Sequence, residues 1–253
     1  FFIWMFSIIL SQELGWNDNG LAIRQGYHIE WNRAADVGSN GEVIFTWSDT
    51  RTSDRDIYAQ KVDSDGNKLW GDGIIVVDHT GRQEDPVLVS DGAGGAYIIW
   101  SDFRNEPINQ GQPYAQHIDS NGERTWDVDG VSLSNDKLDE FSLNMCVDKQ
   151  GRAYALWRKL GSGNFASFLD KNAVPTAELE VISSEWSHSN PSLEVSGDGD
   201  AIMVWKDERD GSAQSDIYAQ RISFDNGVIN LLWDDPTDPY DTGGIPICTA
   251  EGQ

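Results

Sequence analysis

A tryptophan-anchored unit that recurs along the chain limits most strongly what this sequence can fold into. Its clearest copy starts at Trp47 as W-S-D-T-R-T-S-D-R-D-I-Y-A-Q-K-V, and it returns at Trp205 as W-K-D-E-R followed by S-D-I-Y-A-Q-R-I. A looser copy starts at Trp100, where W-S-D-F-R leads to P-Y-A-Q-H-I. The period of about 50 residues is typical of propeller blades and is too long for leucine-rich or helical-pair repeats.

Each unit contains four short runs rich in Ile, Val, Tyr and Trp, separated by Gly, Asp and Asn, which is the pattern of strands joined by tight turns. Asp65-Gly66 and Asn121-Gly122 favour the positive φ of a hairpin turn. No window of helical length has an apolar period of 3.6 residues, so we expect very little helix. The predicted strands are 34–37, 43–48, 56–62 and 73–77; 86–89, 96–101, 113–118 and 130–134; 142–147, 153–158, 164–169 and 178–182; and 191–195, 200–206, 216–222 and 245–248.

These runs predict an all-β fold, a β-propeller of four-stranded antiparallel blades with about four blades present in residues 16–253. The third copy is degenerate, with R-K-L-G after Trp157. An additional fourth-type strand is expected at 20–23, and the final T-A-E-G-Q resembles the approach to another first strand. Both features favour an incomplete ring of at least five blades, and a closed four-bladed ring is the alternative.

The composition limits the partners. Asp plus Glu is 42 against 18 for Lys plus Arg, a formal net charge of −24 that repels phosphate backbones and argues against nucleic acid. Eleven tryptophans indicate repeated packing sites. Cys146 and Cys248 fall at different points of the repeat, so buried thiols are expected, with a single bridge between them as the alternative.

Residues 1–11, F-F-I-W-M-F-S-I-I-L-S, form the only long apolar run, which is too short to span a bilayer. The run has the pattern of a secretory signal, with Ser11 as the small residue before cleavage, and a buried first strand is the alternative. We therefore expect a monomeric, secreted or cell-surface protein with no membrane span in the mature chain.

Four motifs, W-S-D-x-R, D-I-Y-A-Q, D-x-x-G-x-x-x-W-G and D-G-x-G-G-A, resemble the tandem propeller repeats of large secreted bacterial surface proteins, which often end in a type IX secretion sorting domain. This resemblance covers residues 16–253 and implies no defined activity. A weaker similarity is to the Asp-box of sialidase-type propellers, but S-D-G-N-K-L-W at 64–70 departs from the spacing of that motif.

The candidate ligand-binding residues lie on loops that share one rim of a propeller. Arg51, Arg104 and Arg209 recur beside Asp49, Asp102 and Asp207, so we interpret them first as a brace within each blade and second as ligand-binding arginines. Phe103, Trp186 and His188 are not repeated, which makes them the other candidates.

Metal binding and catalysis have weaker signals. Asp63, Asp65 and Asp119 lie in acidic turns with the residue types of a Ca²⁺ loop but without the EF-hand spacing, and structural turns are the alternative. No other cofactor is predicted. His117 occupies a strand position that holds Lys61 and Arg221 in other copies, which predicts a surface side chain. No G-x-S-x-G or H-E-x-x-H motif occurs.

Together these patterns favour a non-catalytic secreted binding or surface-scaffold module that recognises extracellular glycan or protein through the loops of one rim. The alternative is a secreted sialidase-like glycoside hydrolase, which would need an arginine cluster and a pair of catalytic side chains in space.

Overall fold

The computed structural model of the chain describes residues 20–24, 30–52, 54–104, 111–136, 143–159, 163–182, 189–208, 215–233 and 243–248. Within these ranges the regular structure consists of 17 β-strands. A helix with the length and apolar character needed to cross a membrane is not found in them. The predicted signal at 1–11 lies outside the described residues, so secretion stays a prediction.

The strands form four antiparallel sheets in chain order, which we call blades 1 to 4. Blade 1 contains β1 (Glu30–Val37), β2 (Val43–Asp49), β3 (Asp56–Val62) and β4 (Ile74–Val77). Blade 2 contains β5 (Gln83–Ser90), β6 (Ala96–Asp102), β7 (Gln112–Ile118) and β8 (Val131–Ser132). Blade 3 contains β9 (Asn144–Val147), β10 (Ala153–Arg158), β11 (Asn164–Leu169) and β12 (Leu179–Ile182). Blade 4 contains β13 (Ser189–Val195), β14 (Ala201–Asp207), β15 (Asp216–Asp225), β16 (Val228–Leu231) and β17 (Ile245–Cys248).

These elements confirm the predicted all-β blades. Gly66 and Gly122 have φ of 86° and 88°, as their hairpin turns require. One expectation was wrong. Residues 20–24 are not in a strand, although Arg24 reaches Asp49 of blade 1. β16 was not predicted; it pairs with the extended end of β15, while β17 takes the fourth-strand position beside the start of β15.

Successive blades share apolar cores, because strands that are buried on both faces need a neighbour on each side. One cluster joins blades 1 and 2, a second joins blades 2 and 3, and a third joins blades 3 and 4. The first strands of consecutive blades contact one another, whereas β1 and β13 make no comparable contact among the described residues. The blades therefore form an arc around an axis, an incomplete propeller, in contrast to the closed four-bladed alternative.

The burial of His117 corrects a prediction. His117 is 1% exposed; its Nε2 lies 3.1 Å from Asp91 Oδ2 and its Nδ1 lies 2.9 Å from Thr125 Oγ1. The equivalent Lys61 is also buried, and its ammonium donates to two backbone carbonyls of blade 2. In blades 1 and 2 the residue at this strand position is therefore buried and hydrogen-bonded, whereas Arg221 of blade 4 is 29% exposed and pairs with Asp198 and Asp200.

Both cysteines are free. Cys146 is buried as expected, and burial raises the pKa of its thiol to about 12. Cys248 is exposed, contrary to the expectation of a buried thiol, because it ends β17 at the edge of blade 4.

Candidate functional site

The register of the strands assigns the connections to two opposite rims. In blade 1, Asp49 at the end of β2 pairs with Asp56 at the start of β3 and with Glu30 at the start of β1. The loops between second and third strands and the connections into first strands therefore share one edge, which we call the loop rim. The hairpins between first and second strands lie at the other edge, the turn rim.

On the turn rim, carboxylates are used by their own turns. Asp63 Oδ1 accepts the N–H groups of Asp65 and Asn67 at 3.0 and 2.7 Å, and Asp119 Oδ1 accepts those of Asn121 and Glu123 at 2.9 Å each. These hydrogen bonds lower the pKa of Asp63 and of Asp119. The described residues include no group of three or more side chains placed to hold a metal ion, and the Ca²⁺ site stays a prediction.

At the loop rim, the Trp-x-Asp-x-Arg motif forms a hydrogen-bonded brace. In blade 2, Trp100 Nε1 donates to Asp102 Oδ2 at 2.8 Å, and Arg104 donates to the same carboxylate through Nε at 2.8 Å and Nη2 at 2.6 Å. In blade 1, Arg51 donates to Asp49 Oδ2 through Nε at 2.9 Å and Nη2 at 2.5 Å. The two guanidinium groups thus bind carboxylates of separate blades.

The brace has an electrostatic consequence in blade 1. Burial acts to raise the pKa of Asp49, but hydrogen bonds from Arg51 and Trp47 outweigh it and lower the pKa below its ordinary value. Arg51 also lies over the Tyr58 ring, 3.8 Å from its centroid. An ionised carboxylate therefore fixes the position of the arginine on this rim.

A second group of charged side chains joins blades 1 and 2 on the loop rim. Glu84 forms ion pairs with Arg55 of blade 1 and with Arg82 Nη1, the latter at 3.2 Å. The Arg82 guanidinium lies 4.5 Å from the centroid of the Phe103 ring. Arg55, Asp56, Arg82, Glu84 and Phe103 are called the rim cluster below.

Asp56, the neighbour of Arg55 in the chain, is a buried carboxyl group whose pKa departs from its ordinary value. It is 3% exposed and accepts a hydrogen bond from Thr52 Oγ1. Burial raises the pKa of Asp56 to about 6, and the nearby charges of Asp78, Asp54 and Asp49 act in the same direction. A carboxyl group that holds its proton up to mildly acidic pH can donate that proton.

The structure brings together only part of the predicted site. Phe103 joins the rim cluster, whereas Arg51 and Arg104 are held in separate braces. Trp186, His188 and Arg209 lie outside the described residues. The sequence interpretation missed Asp56 and Arg82, because the burial of Asp56 and the contact of Arg82 with Phe103 arise only in the folded chain. The non-repeated charges at 79–85 were the signal that could have found Arg82.

Comparisons with known proteins support the fold. No family model matches the chain, and no curated protein matches its sequence. An α-L-arabinanase from Penicillium chrysogenum, solved with arabinobiose, is 12% identical with a TM-score of 0.53, covering 87% of this chain and 71% of that chain.

Two further solved structures have lower TM-scores. An α-L-arabinofuranosidase from Fusarium graminearum is 10% identical with a TM-score of 0.48, covering 81% of this chain and 67% of that chain. A thermostable family-43 glycoside hydrolase is 17% identical with a TM-score of 0.43, covering 80% of this chain and 74% of that chain. The arabinanase match shows likeness of fold, and none of these findings identifies the secreted repeat family that the motifs resemble.

Proposed function

We propose that this protein recognises glycan at the loop rim of blades 1 and 2. The rim cluster is the observation that carries the proposal. Sugar hydroxyls both donate and accept hydrogen bonds, and the cluster offers guanidinium donors beside carboxylate acceptors and an aromatic ring. On the turn rim, by contrast, the carboxylates of Asp63 and Asp119 accept hydrogen bonds from their own turns.

The likeness of fold supports the same class of ligand. The Penicillium arabinanase was solved with arabinobiose, so a neutral arabinose-containing glycan is the first ligand to test on this chain. Extracellular protein is the other partner expected from the sequence, and no contact of the rim cluster favours it.

Binding to arabinan, xylan and galactan in affinity electrophoresis tests the proposal. Arg82→Ala should weaken retention about tenfold, because it removes a charge-assisted hydrogen bond from the cluster. Arg152→Ala is the matched control, since Arg152 pairs with Asp148 on the turn rim. Equal retention of both variants and the unmodified protein would contradict glycan recognition at this rim.

Glycoside hydrolysis is the second candidate, and Asp56 is the observation that favours it. Glycosidases commonly pair a carboxylic acid of raised pKa with an ionised carboxylate. Asp56 has the raised pKa, of about 6, and Glu84, which forms ion pairs with Arg55 and Arg82, is the second carboxyl group of the rim cluster.

Release of reducing sugar from the same three polysaccharides tests hydrolysis. The unmodified protein should release sugar, and Asp56→Asn should lower the rate by a factor of about 100 or more, because general acid catalysis is lost. An unmodified protein that binds glycan without releasing sugar would leave recognition as the function and exclude hydrolysis of these substrates.

A further inference from the structure

A cavity of about 620 Å³ lies on the outer flank of blade 1, which we call the flank cavity. Its described lining contains three cations and one carboxylate, Arg24, Arg51, Lys68 and Asp72, together with Gly20, Leu21 and Ala22. An excess of positive charge in one cavity is notable in a chain whose formal net charge is −24.

The arginines of the flank cavity are held in place by a buried carboxylate. Asp49 has a fully buried side chain and binds Arg24 Nε at 3.1 Å and Arg51 Nη2 at 2.5 Å. Because their positions are fixed within the protein, a ligand need not order these two side chains when it binds.

In blade 2 the equivalent cations have partners within the protein. Arg104, the counterpart of Arg51, donates from Nη2 to the Asp129 carbonyl at 2.7 Å. Arg124, the counterpart of Lys68 in the β-bridge that follows the third strand, lies 3.7 Å from Asp78 and donates to the Val128 carbonyl. Both cations of blade 2 are therefore bound by protein groups.

In blade 1 the same two positions have fewer partners. Among the described residues, Arg51 makes no bond to the carbonyl of Asp72, the counterpart of Asp129, and Lys68 forms no ion pair. The Arg51 side chain is 20% exposed, against 8% for Arg104. Among the described residues, the two cations of blade 1 therefore have fewer protein partners than their counterparts in blade 2.

We infer that the flank cavity binds an anionic group, and that this group is the carboxylate of a uronic acid unit in an acidic glycan. The anionic part follows from Arg24, Arg51 and Lys68, and the sugar part rests on the proposed function. Carboxylate is the group that a guanidinium binds with two parallel hydrogen bonds, and a cavity of about 620 Å³ is large enough for a sugar ring.

Isothermal titration of the full chain with sodium glucuronate, sodium acetate and glucose at low ionic strength tests the inference. Glucuronate should bind more tightly than acetate, glucose should not bind in the cavity, and added salt should weaken glucuronate binding. Lys68→Gln should weaken glucuronate binding about fivefold, and Asp72→Asn should strengthen it about twofold, since each changes the charge of the lining. Lys149→Gln, an exposed lysine on the turn rim, is the matched control.

The opposite signs expected for Lys68→Gln and Asp72→Asn separate a charge effect from damage to the fold. Absence of glucuronate binding, or unchanged binding in Lys68→Gln, would overturn the inference, and acetate binding as tightly as glucuronate would overturn the assignment to a sugar. Arg82→Ala should leave glucuronate affinity unchanged. Loss of neutral-glycan binding at the rim cluster would therefore not be confused with loss of the flank cavity.

Discussion

Blades 2 and 3 each bury a tryptophan at the same position of the repeat, but the residues around the two tryptophans make different contacts. Trp100 and Trp157 are both 0% exposed. In blade 2 the indole N–H of Trp100 donates to Asp102, which also binds Arg104. In blade 3 the position of that aspartate is occupied by Lys159, and the indole N–H of Trp157 has no acceptor among the described residues.

Lys159 compensates with a different set of contacts. Its ammonium lies 2.7 Å from Asp136, 2.6 Å from Glu178 and 3.8 Å from the centroid of the Phe165 ring. Burial acts to lower the pKa of Lys159, but the hydrogen bonds that its ammonium donates to Asp136 and Glu178 outweigh it and raise the pKa. The tryptophan can therefore pack between blades without the brace, so packing and hydrogen bonding contribute separately to stability.

The largest effect should come from Trp100→Ala. We expect a loss of about 4 kcal/mol in the free energy of unfolding, because a large cavity opens between blades 1 and 2. Trp157→Ala should cost about 3 kcal/mol, since this substitution removes packing but no hydrogen bond among the described residues. Denaturant unfolding measures both, and a loss under about 1 kcal/mol for Trp100→Ala would show that packing does not depend on this ring.

Asp102→Ala should cost about 3 kcal/mol, because it leaves the buried Arg104 cation and the Trp100 N–H without their acceptor. Lys159→Met should cost only about 1 kcal/mol, because one of its two partners, Asp136, is exposed. Equal losses in the two blades would mean that the brace is no stronger than the lysine contacts of blade 3.

Blade 1 should contribute a pH dependence of stability that blade 3 lacks at the same position. Blade 3 has Gly163, which has no titratable side chain, near the strand position of Asp56. The folded-state pKa of Asp56, about 6, exceeds its ordinary value of 3.8, so the folded protein binds the proton more tightly. Its contribution to stability is therefore present below about pH 4 and is lost as the pH rises through about 6, by roughly 3 kcal/mol. The melting temperature measured from pH 4 to pH 7 should show this loss. Asp56→Asn should remove the fall in melting temperature, while Asp225→Asn at an exposed turn should retain it.

The smallest effect should come from Trp157→Phe, which we expect to change stability by less than about 1 kcal/mol. The substitution removes a buried N–H without a partner, and that gain offsets the loss of ring volume. Trp100→Phe should cost about 1 to 2 kcal/mol more, since it also removes a donor from Asp102. Equal costs would indicate that a partner outside the described residues binds the Trp157 N–H.

Much of the fold was predictable because turn residues interrupt apolar runs at a regular interval. The strands 56–62 and 153–158 agree in both bounds, and the brace of Arg51 on Asp49 follows from their spacing of two residues. β16 was missed because it adds an irregular hairpin to blade 4, with only one of its four residues buried. The raised pKa of Asp56 was not predictable, since its largest cause is burial in the folded protein.

Each of the three apolar clusters joins one blade to the next blade along the chain. Blades 2 and 3 each share two of these clusters, whereas blades 1 and 4 each share one among the described residues. Stability in an arrangement of this kind is nearly a sum over neighbours, so fraying should start at the outside and spread inward. The slowest-exchanging backbone amides should then gather in the strands of blades 2 and 3, far from either edge of the arc.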